Sequence, residues 1–277
     1  MKISFIGAGS MAEAIITRLI ETKICHQDEI YATNRNNKEK MAELERRYGI
    51  HTTYNLEELL QDANMIVFAV KPKDADAVLQ KVRPFINDNT VFVSVLAGIS
   101  LHFLEERLNT GSSIVRAMPN TSASVGKSAT AITFNSNVTV KQMQLTQDIL
   151  AAVGMTTVVE ENQLDAITGL AGSGPAYIYY LVEAMEQSAK ELGLEADLAK
   201  KLIIQTLSGA TEMLLSSKKE AADLRFEVTS PGGTTEAGIQ VLQQKAVKEA
   251  VIECIKTAAN QAKELGKLHE SRHINSL

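Results

Sequence analysis

Two glycine-rich stretches, far apart in the chain, carry residue types suited to holding anionic groups on backbone N–H donors. The first is Gly7-Ala8-Gly9-Ser10-Met11-Ala12. It matches GxGxxG/A, follows the apolar run Lys2–Ile6 and opens a helical pattern. Gly7 permits a tight turn, Gly9 lets the backbone approach a pyrophosphate at the helix start, and Ala12 keeps helix close to strand. Such a turn also occurs for purely structural reasons. Its place first in the chain, within a strand–helix–strand unit, points to dinucleotide binding.

The next strand end bears on which dinucleotide. Domains that bind the unphosphorylated form usually place Asp or Glu there, to accept from the ribose 2′-hydroxyl. Here the residues are Thr33-Asn34-Arg35-Asn36, with no carboxylate. Arg35 stands where a 2′-phosphate would lie, which favours NADP over NAD. The alternative is a solvated arginine on the following helix, which leaves the missing acid unexplained. Ala69-Val70-Lys71-Pro72 ends another apolar run, beside the crevice where open α/β sheets bind ligands. Lys71 is either a site residue or a strand-end lysine in water.

The second stretch is Val228-Thr229-Ser230-Pro231-Gly232-Gly233-Thr234-Thr235, ahead of the helical run EAGIQVLQQ. It leaves backbone N–H groups free to receive a carboxylate or phosphate, and Ser230, Thr234 and Thr235 add hydroxyls. The competing reading is a helix cap with a glycine lead-in. His26, His51 and His102 are isolated, and His269 and His273 lie in the polar tail, so no metal site is expected. No Ser–His–Asp or Cys–His pattern supports hydrolysis. Cys25 and Cys254 form no CxxC and read as reduced thiols of a cytoplasmic protein.

The elements that must position these groups change character along the chain. Strand-like runs cover Lys2–Ile6, Glu29–Thr33, Met65–Val70, Thr90–Ala97 and Ile114–Met118, with Ala129–Phe134 and Thr156–Val159 after them. Helical patterns alternate with the earlier ones at Met11–Ile20, Lys38–Tyr48, Asp74–Phe85 and Leu101–Leu108. MIVFAV is continuously apolar, as expected of a central parallel strand buried on both faces, and TVFVSVLA reads as another buried strand. This predicts an α/β fold with a Rossmann-type doubly wound sheet over residues 1–160. Residues 161–277 show no strand and predict an all-helical domain, with helices at Leu198–Leu215 and Lys245–Leu265 and another opened by Gly174-Pro175. The run AYIYYLV is apolar on every side and needs cover all round, from its own domain or a second subunit. Of 277 residues 45% are hydrophobic and 22% charged, with a formal net charge of −5. That balance fits two ordinary globular domains and disfavours nucleic acid and anionic membrane surfaces as partners. The start MKISFIGAGS does not read as a signal peptide, and no apolar run reaches the roughly 20 residues of a bilayer span.

Taken together, Gly7–Ala12, Asn34-Arg35, Ala69–Pro72, Arg116-Ala117-Met118-Pro119-Asn120-Thr121, Gly172-Ser173-Gly174-Pro175-Ala176-Tyr177 and Val228–Thr235 resemble the pyrroline-5-carboxylate reductase family, in the family's order. The SPGGTT element is the specific part. The resemblance implies reduction of 1-pyrroline-5-carboxylate to L-proline with NADPH, NADH serving less efficiently, and a helical domain that intertwines two subunits in dimers that often associate into rings of five. It implies cofactor contacts at Gly7, Ala8, Gly9, Ser10, Met11, Ala12, Asn34, Arg35, Asn55, Ala69, Val70, Lys71, Pro72 and Ala97. It implies a substrate element of Ser230, Gly232, Gly233, Thr234 and Thr235, with Thr235 as the catalytic residue at the ring nitrogen. Ser122 departs from the proline carried by many members, and Lys218 lies near a glutamate carried by some. Two rivals stay open: a β-hydroxyacid dehydrogenase, whose helical-domain lysine has no counterpart in Gly174–Met185, and a nucleotide-binding sensor, whose motifs would have decayed.

Overall fold

A computed structural model describes residues 1–87, 89–108 and 111–274 of the chain. The first part alternates strands and helices: β1 (Ile3–Ile6), α1 (Ser10–Glu21), β2 (Ile30–Thr33), α2 (Lys38–Tyr48), β3 (His51–Thr52), α3 (Leu56–Leu60), β4 (Met65–Phe68), α4 (Ala75–Val82), β5 (Val91–Ser94), α5 (Leu101–Arg107) and β6 (Ser113–Met118). Then come β7 (Ser128–Phe134), α6 (Val140–Ala151), β8 (Gly154–Val158) and α7 (Leu164–Ile167), which runs into a π-turn at Thr168–Gly172. The remainder is helical: α8 (Gly174–Glu191), α9 (Ala196–Ser216), α10 (Ala221–Glu227), α11 (Thr234–Gln244) and α12 (Val247–Ile274).

The eight strands form one sheet in the order β3-β2-β1-β4-β5-β6-β7-β8. The chain reverses its direction of winding between β1 and β4, the topological switch point of a doubly wound sheet. Every residue of β1, β4 and β5 is buried, and successive side chains alternate between two apolar layers. Ile3, Phe5, Met65, Val67, Val91, Val93 and Val115 join the apolar layer under α1 and α6. Ile6, Ile66, Phe68, Phe92 and Ile114 join the layer under α3, α4 and α5. A strand covered on both faces must be apolar throughout, which is why MIVF and VFV read as unbroken runs.

Two features depart from the expected pattern. β7 pairs with β6 antiparallel, so the sheet is not parallel throughout. A short turn at Thr121–Val125 joins the two strands, and only a crossover helix returns the chain parallel. α6 supplies such a crossover to β8, which pairs with β7 in parallel. α6 was not anticipated, although Thr139 and Gln142 form a capping box at its start that the sequence displays as T-x-x-Q.

By compactness the chain divides into Met1–Pro175 with Thr257–Leu277, and Ala176–Lys256. The first unit therefore runs past the expected boundary at residue 160. Asn120 Nδ2 donates to the Ala171 carbonyl (2.9 Å), tying the π-turn to the end of β6. The last turns of α12 also belong to this unit, with Gly266 against Gly98. α12 extends through Ile274, into the polar tail; residues 275–277 of that tail lie outside the described residues. Among the described residues no helix is long and apolar enough to cross a membrane.

Candidate active site

In the first unit the expected cofactor residues gather at the carboxyl ends of β1, β2, β4 and β5. β1 ends at Ile6, and Gly7 turns with φ +107°, a backbone conformation that side chains rarely allow. Its N–H donates to Thr33 O (2.9 Å), while Ala69 N–H donates to Ile6 O (2.8 Å). Three strand ends are thereby joined around one glycine. Gly9 caps α1 with extended backbone, and a β-carbon on it would meet no atom within 4 Å. The N–H groups of Ser10, Met11 and Ala12 beyond it have no acceptor among the described residues. Ala12 is fully buried against the sheet, as the third position of the motif requires, and Ala8 is buried as well. Free donors, open space and the positive end of a helix make a cradle able to receive a pyrophosphate.

Glu13 in the first turn of α1 would repel such an anion if its charge were free. It accepts from Lys40 Nζ (2.8 Å), Tyr48 Oη (2.9 Å) and Arg47 (3.3 Å) instead. Burial pushes its carboxyl pKa up, but the hydrogen bonds from Lys40 and Tyr48 outweigh this and hold it below the ordinary value.

Beside the cradle lies a cavity of about 360 Å³ lined by Gly7, Asn34, Arg35 and Val70 from the expected set. Asn34 is fixed by two 2.8 Å bonds with the Asn37 backbone and receives the Tyr54 hydroxyl (3.2 Å). Arg35 is 85% exposed, with Nη1 3.9 Å from Asp74 Oδ1. Lys71 is exposed at the turn after β4, and Pro72 opens a short 3₁₀ segment there. Ala97 is half-buried after β5. Asn55 does not line the cavity: its Oδ1 caps α3, accepting from Glu57 N–H (2.9 Å), while its neighbours Tyr54 and Leu56 do line it. Tyr54, Asp74 and Lys81 were missed in the sequence. Asp74, Ala77, Val78 and Lys81 are spaced to share one helix face, and that periodicity was the available signal. The free N–H groups and the cationic cavity fit a phosphorylated dinucleotide.

Two further motifs meet in this unit. Arg116 pairs with Glu161 (2.5 Å), and Gly172 packs beside Met118, where an added β-carbon would lie 3.4 Å from Cε, in ordinary contact. π-turns are often found at functional sites. Ser122 donates its N–H to Asn120 Oδ1 (3.0 Å), a bond that a proline at this position would lack.

In the second unit the Val228–Thr235 loop joins α10 to α11. Gly232 turns with φ +74°, Gly233 N–H donates to Ser230 O (3.0 Å), and Gly232 N–H donates to Glu236 Oε2 (2.7 Å). Two of the expected anion donors are thus engaged within the loop. The N–H groups of Thr234 and Thr235, at the start of α11, have no acceptor among the described residues, and no partner is present for the hydroxyls of Ser230, Thr234 and Thr235. Glu236 occupies the third helical position, from which an acid reaches back to the preceding backbone; that was its signal in the sequence. Lys218 is exposed between α9 and α10.

This unit is poorly covered by its own residues. Among the described residues of 176–256, the apolar side chains that reach full burial are Ala189, Ala199 and Ile203. Tyr180 is 76% and Phe226 79% exposed, and Leu202, Ile204 and Leu215 are exposed as well. An apolar surface of this extent marks an obligate interface.

Residues 161–265 match the family model described as pyrroline-5-carboxylate reductase dimerisation, and residues 2–98 match NADP oxidoreductase, coenzyme F420-dependent. Pyrroline-5-carboxylate reductase 2 of Bacillus subtilis (strain 168) is 43% identical over 264 residues, 95% of each chain. A solved pyrroline-5-carboxylate reductase from Coxiella burnetii superposes with a TM-score of 0.86 at 37% identity, over 95% of this chain and 98% of that one. The Plasmodium falciparum pyrroline carboxylate reductase solved with NADP bound gives a TM-score of 0.89 at 28% identity, over 96% and 98%. Fold and site define an NADP-dependent oxidoreductase in which a Rossmann-type sheet is followed by a helical dimerisation domain. The chain belongs to the pyrroline-5-carboxylate reductase family, and it is a homo-oligomer.

Proposed function

We propose that this enzyme reduces the C=N bond of 1-pyrroline-5-carboxylate to L-proline with NADPH, the last step of proline biosynthesis. The observation that carries the substrate assignment is the pair of unengaged N–H groups at Thr234 and Thr235, flanked by hydroxyls, at the start of α11. A carboxylate is held there by two backbone donors and the positive end of the helix. Glu236 and Ser230 keep the preceding turn closed, so these donors are in place before substrate arrives.

The Gly7–Ala12 cradle holds the pyrophosphate, Asn34 and Arg35 hold the adenosine end, and Asn55, Ala69, Val70, Lys71, Pro72 and Ala97 complete the cofactor site. The bound nicotinamide supplies a hydride, and the demanding chemistry resides in the cofactor. The chain orients the imine carbon, and the reaction needs its nitrogen protonated. A protonated imine is already electrophilic, so no strong acid is required. The Thr235 hydroxyl aligns the nitrogen as its bonding changes from imine to amine. Residues 1–160 serve as the cofactor domain and residues 161–277 as the substrate and dimerisation domain. Dimers associate further into rings of five, and the enzyme works in the cytoplasm, where its thiols stay reduced.

Oxidation of NADPH on addition of 1-pyrroline-5-carboxylate, run beside a panel of 3-hydroxy acids with NADP⁺, tests the assignment. Turnover of the imine alone is expected. Turnover of a hydroxy acid in its place overturns it.

A further inference from the structure

The cavity beside Gly7 holds an acid that the end of β2 lacks. Asp74, the residue before α4, places Oδ1 3.9 Å from Arg35 Nη1, and both line the same space. Lys81, two turns further along α4, lines it too and makes no ion pair among the described residues. Its ammonium is exposed and unpaired among the described residues, free to meet an anion in the cavity. The Arg35–Asp74 contact is long and exposed, a class of pair that holds weakly and gives way to a better anion. A 2′-phosphate, with nearly two charges and three acceptor oxygens, is that anion. Its arrival takes Arg35 from Asp74 and leaves the carboxylate close to a like charge.

We propose that cofactor preference is set by three charges on this cavity: Arg35 and Lys81 draw in the 2′-phosphate, and Asp74 opposes it. The inference rests on NADP binding at this cavity and assigns opposite roles to two residues of α4 and its lead-in. Asp74 moderates the preference and preserves a capacity for the unphosphorylated dinucleotide, whose ribose hydroxyl it can accept. Lys81 acts as a point charge, so its contribution falls with ionic strength.

Calorimetric titration of the full chain with NADP⁺ and NAD⁺, without substrate, provides the test. Lys81→Gln is expected to weaken NADP⁺ about 3- to 10-fold and NAD⁺ less than about 2-fold, and to flatten the salt dependence of NADP⁺ binding. Asp74→Asn is expected to tighten NADP⁺ about 2- to 5-fold and to widen the ratio of the two affinities. Both side chains are at the surface, so both variants retain the fold, which their thermal midpoints check. If the wild-type chain prefers NADP⁺ and either variant alters both dinucleotides equally or neither, the charge assignment is overturned while the NADP reading stands. A wild-type chain with equal affinity for the two overturns both.

Discussion

Gly7 and Ala69 meet so closely that a β-carbon on residue 7 would stand 2.5 Å from the Ala69 carbonyl oxygen. Backbone on backbone leaves neither side room to yield, and φ +107° adds strain for any side chain. Gly7→Ala is expected to destabilise the protein by about 3 kcal/mol or more. Gly9 presents the opposite case, because nothing lies within 4 Å of the added carbon. Gly9→Ala is expected to shift stability by less than about 1 kcal/mol while weakening NADPH severely. Urea unfolding and cofactor titration on both variants separate the structural glycine from the ligand-facing one.

If Arg35 binds the 2′-phosphate as proposed, Arg35→Ala removes a charge-assisted bond worth roughly 1.5–3 kcal/mol. NADPH affinity should fall about 10- to 150-fold, with NADH nearly unchanged. Equal losses for both cofactors would sink the assignment of Arg35 to the phosphate.

Thr235 distinguishes catalysis from capping. As a residue aimed at the ring nitrogen, Thr235→Ala should lower kcat by about 10- to 1,000-fold, and Thr235→Ser should recover much of that rate. As a helix-start residue only, it would cost about 1 kcal/mol of stability and leave turnover normal. Measuring kcat and thermal midpoint on the same samples would falsify one of these.

Tyr180 belongs to the apolar surface of α8 that a second subunit must cover. The wild-type chain should sediment as a dimer or larger at micromolar concentration. Tyr180→Glu places an unpaired charge in that contact, at a cost of about 3 kcal/mol or more, and should raise the dissociation constant at least about 100-fold. A stable wild-type species of 30.1 kDa contradicts the obligate interface.

Glu13 gives the first unit a defined acid sensitivity. Its pKa is held below the usual carboxylate value, so its stabilisation is fully present above about pH 4.3 and is lost as pH falls through the lower folded value. Glu13→Gln should cost about 1 kcal/mol at pH 7. That deficit should stay constant down to about pH 5 and shrink below about pH 4. A deficit that does not change with pH would show that packing, rather than charge, accounts for the loss.

Much of this molecule was legible in the chain itself. Local pattern determines the strands MIVF and VFV, the glycine turn at Gly7, and the helix opened by Thr234, because each depends on neighbours within a few residues. The SPGGTT element identified the family, and the absence of an acid at the end of β2 pointed to the phosphorylated cofactor. What depended on distant partners was not legible. The antiparallel β7 follows from how a short turn returns to the sheet. Asp74 stands beside Arg35 because β2 and β4 flank β1 and deliver their carboxyl ends to one cavity. Glu13 is neutralised by residues of α2, 27 to 35 positions away. The engagement of Gly232 by Glu236 is local, four residues apart, and was signalled by an acid at the third helical position. It leaves Thr234 and Thr235 as the free donors, since backbone N–H groups are satisfied by whichever acceptor geometry brings within reach. Residue type and spacing determine which groups are available, and tertiary structure decides which of them remain unpaired and face a ligand.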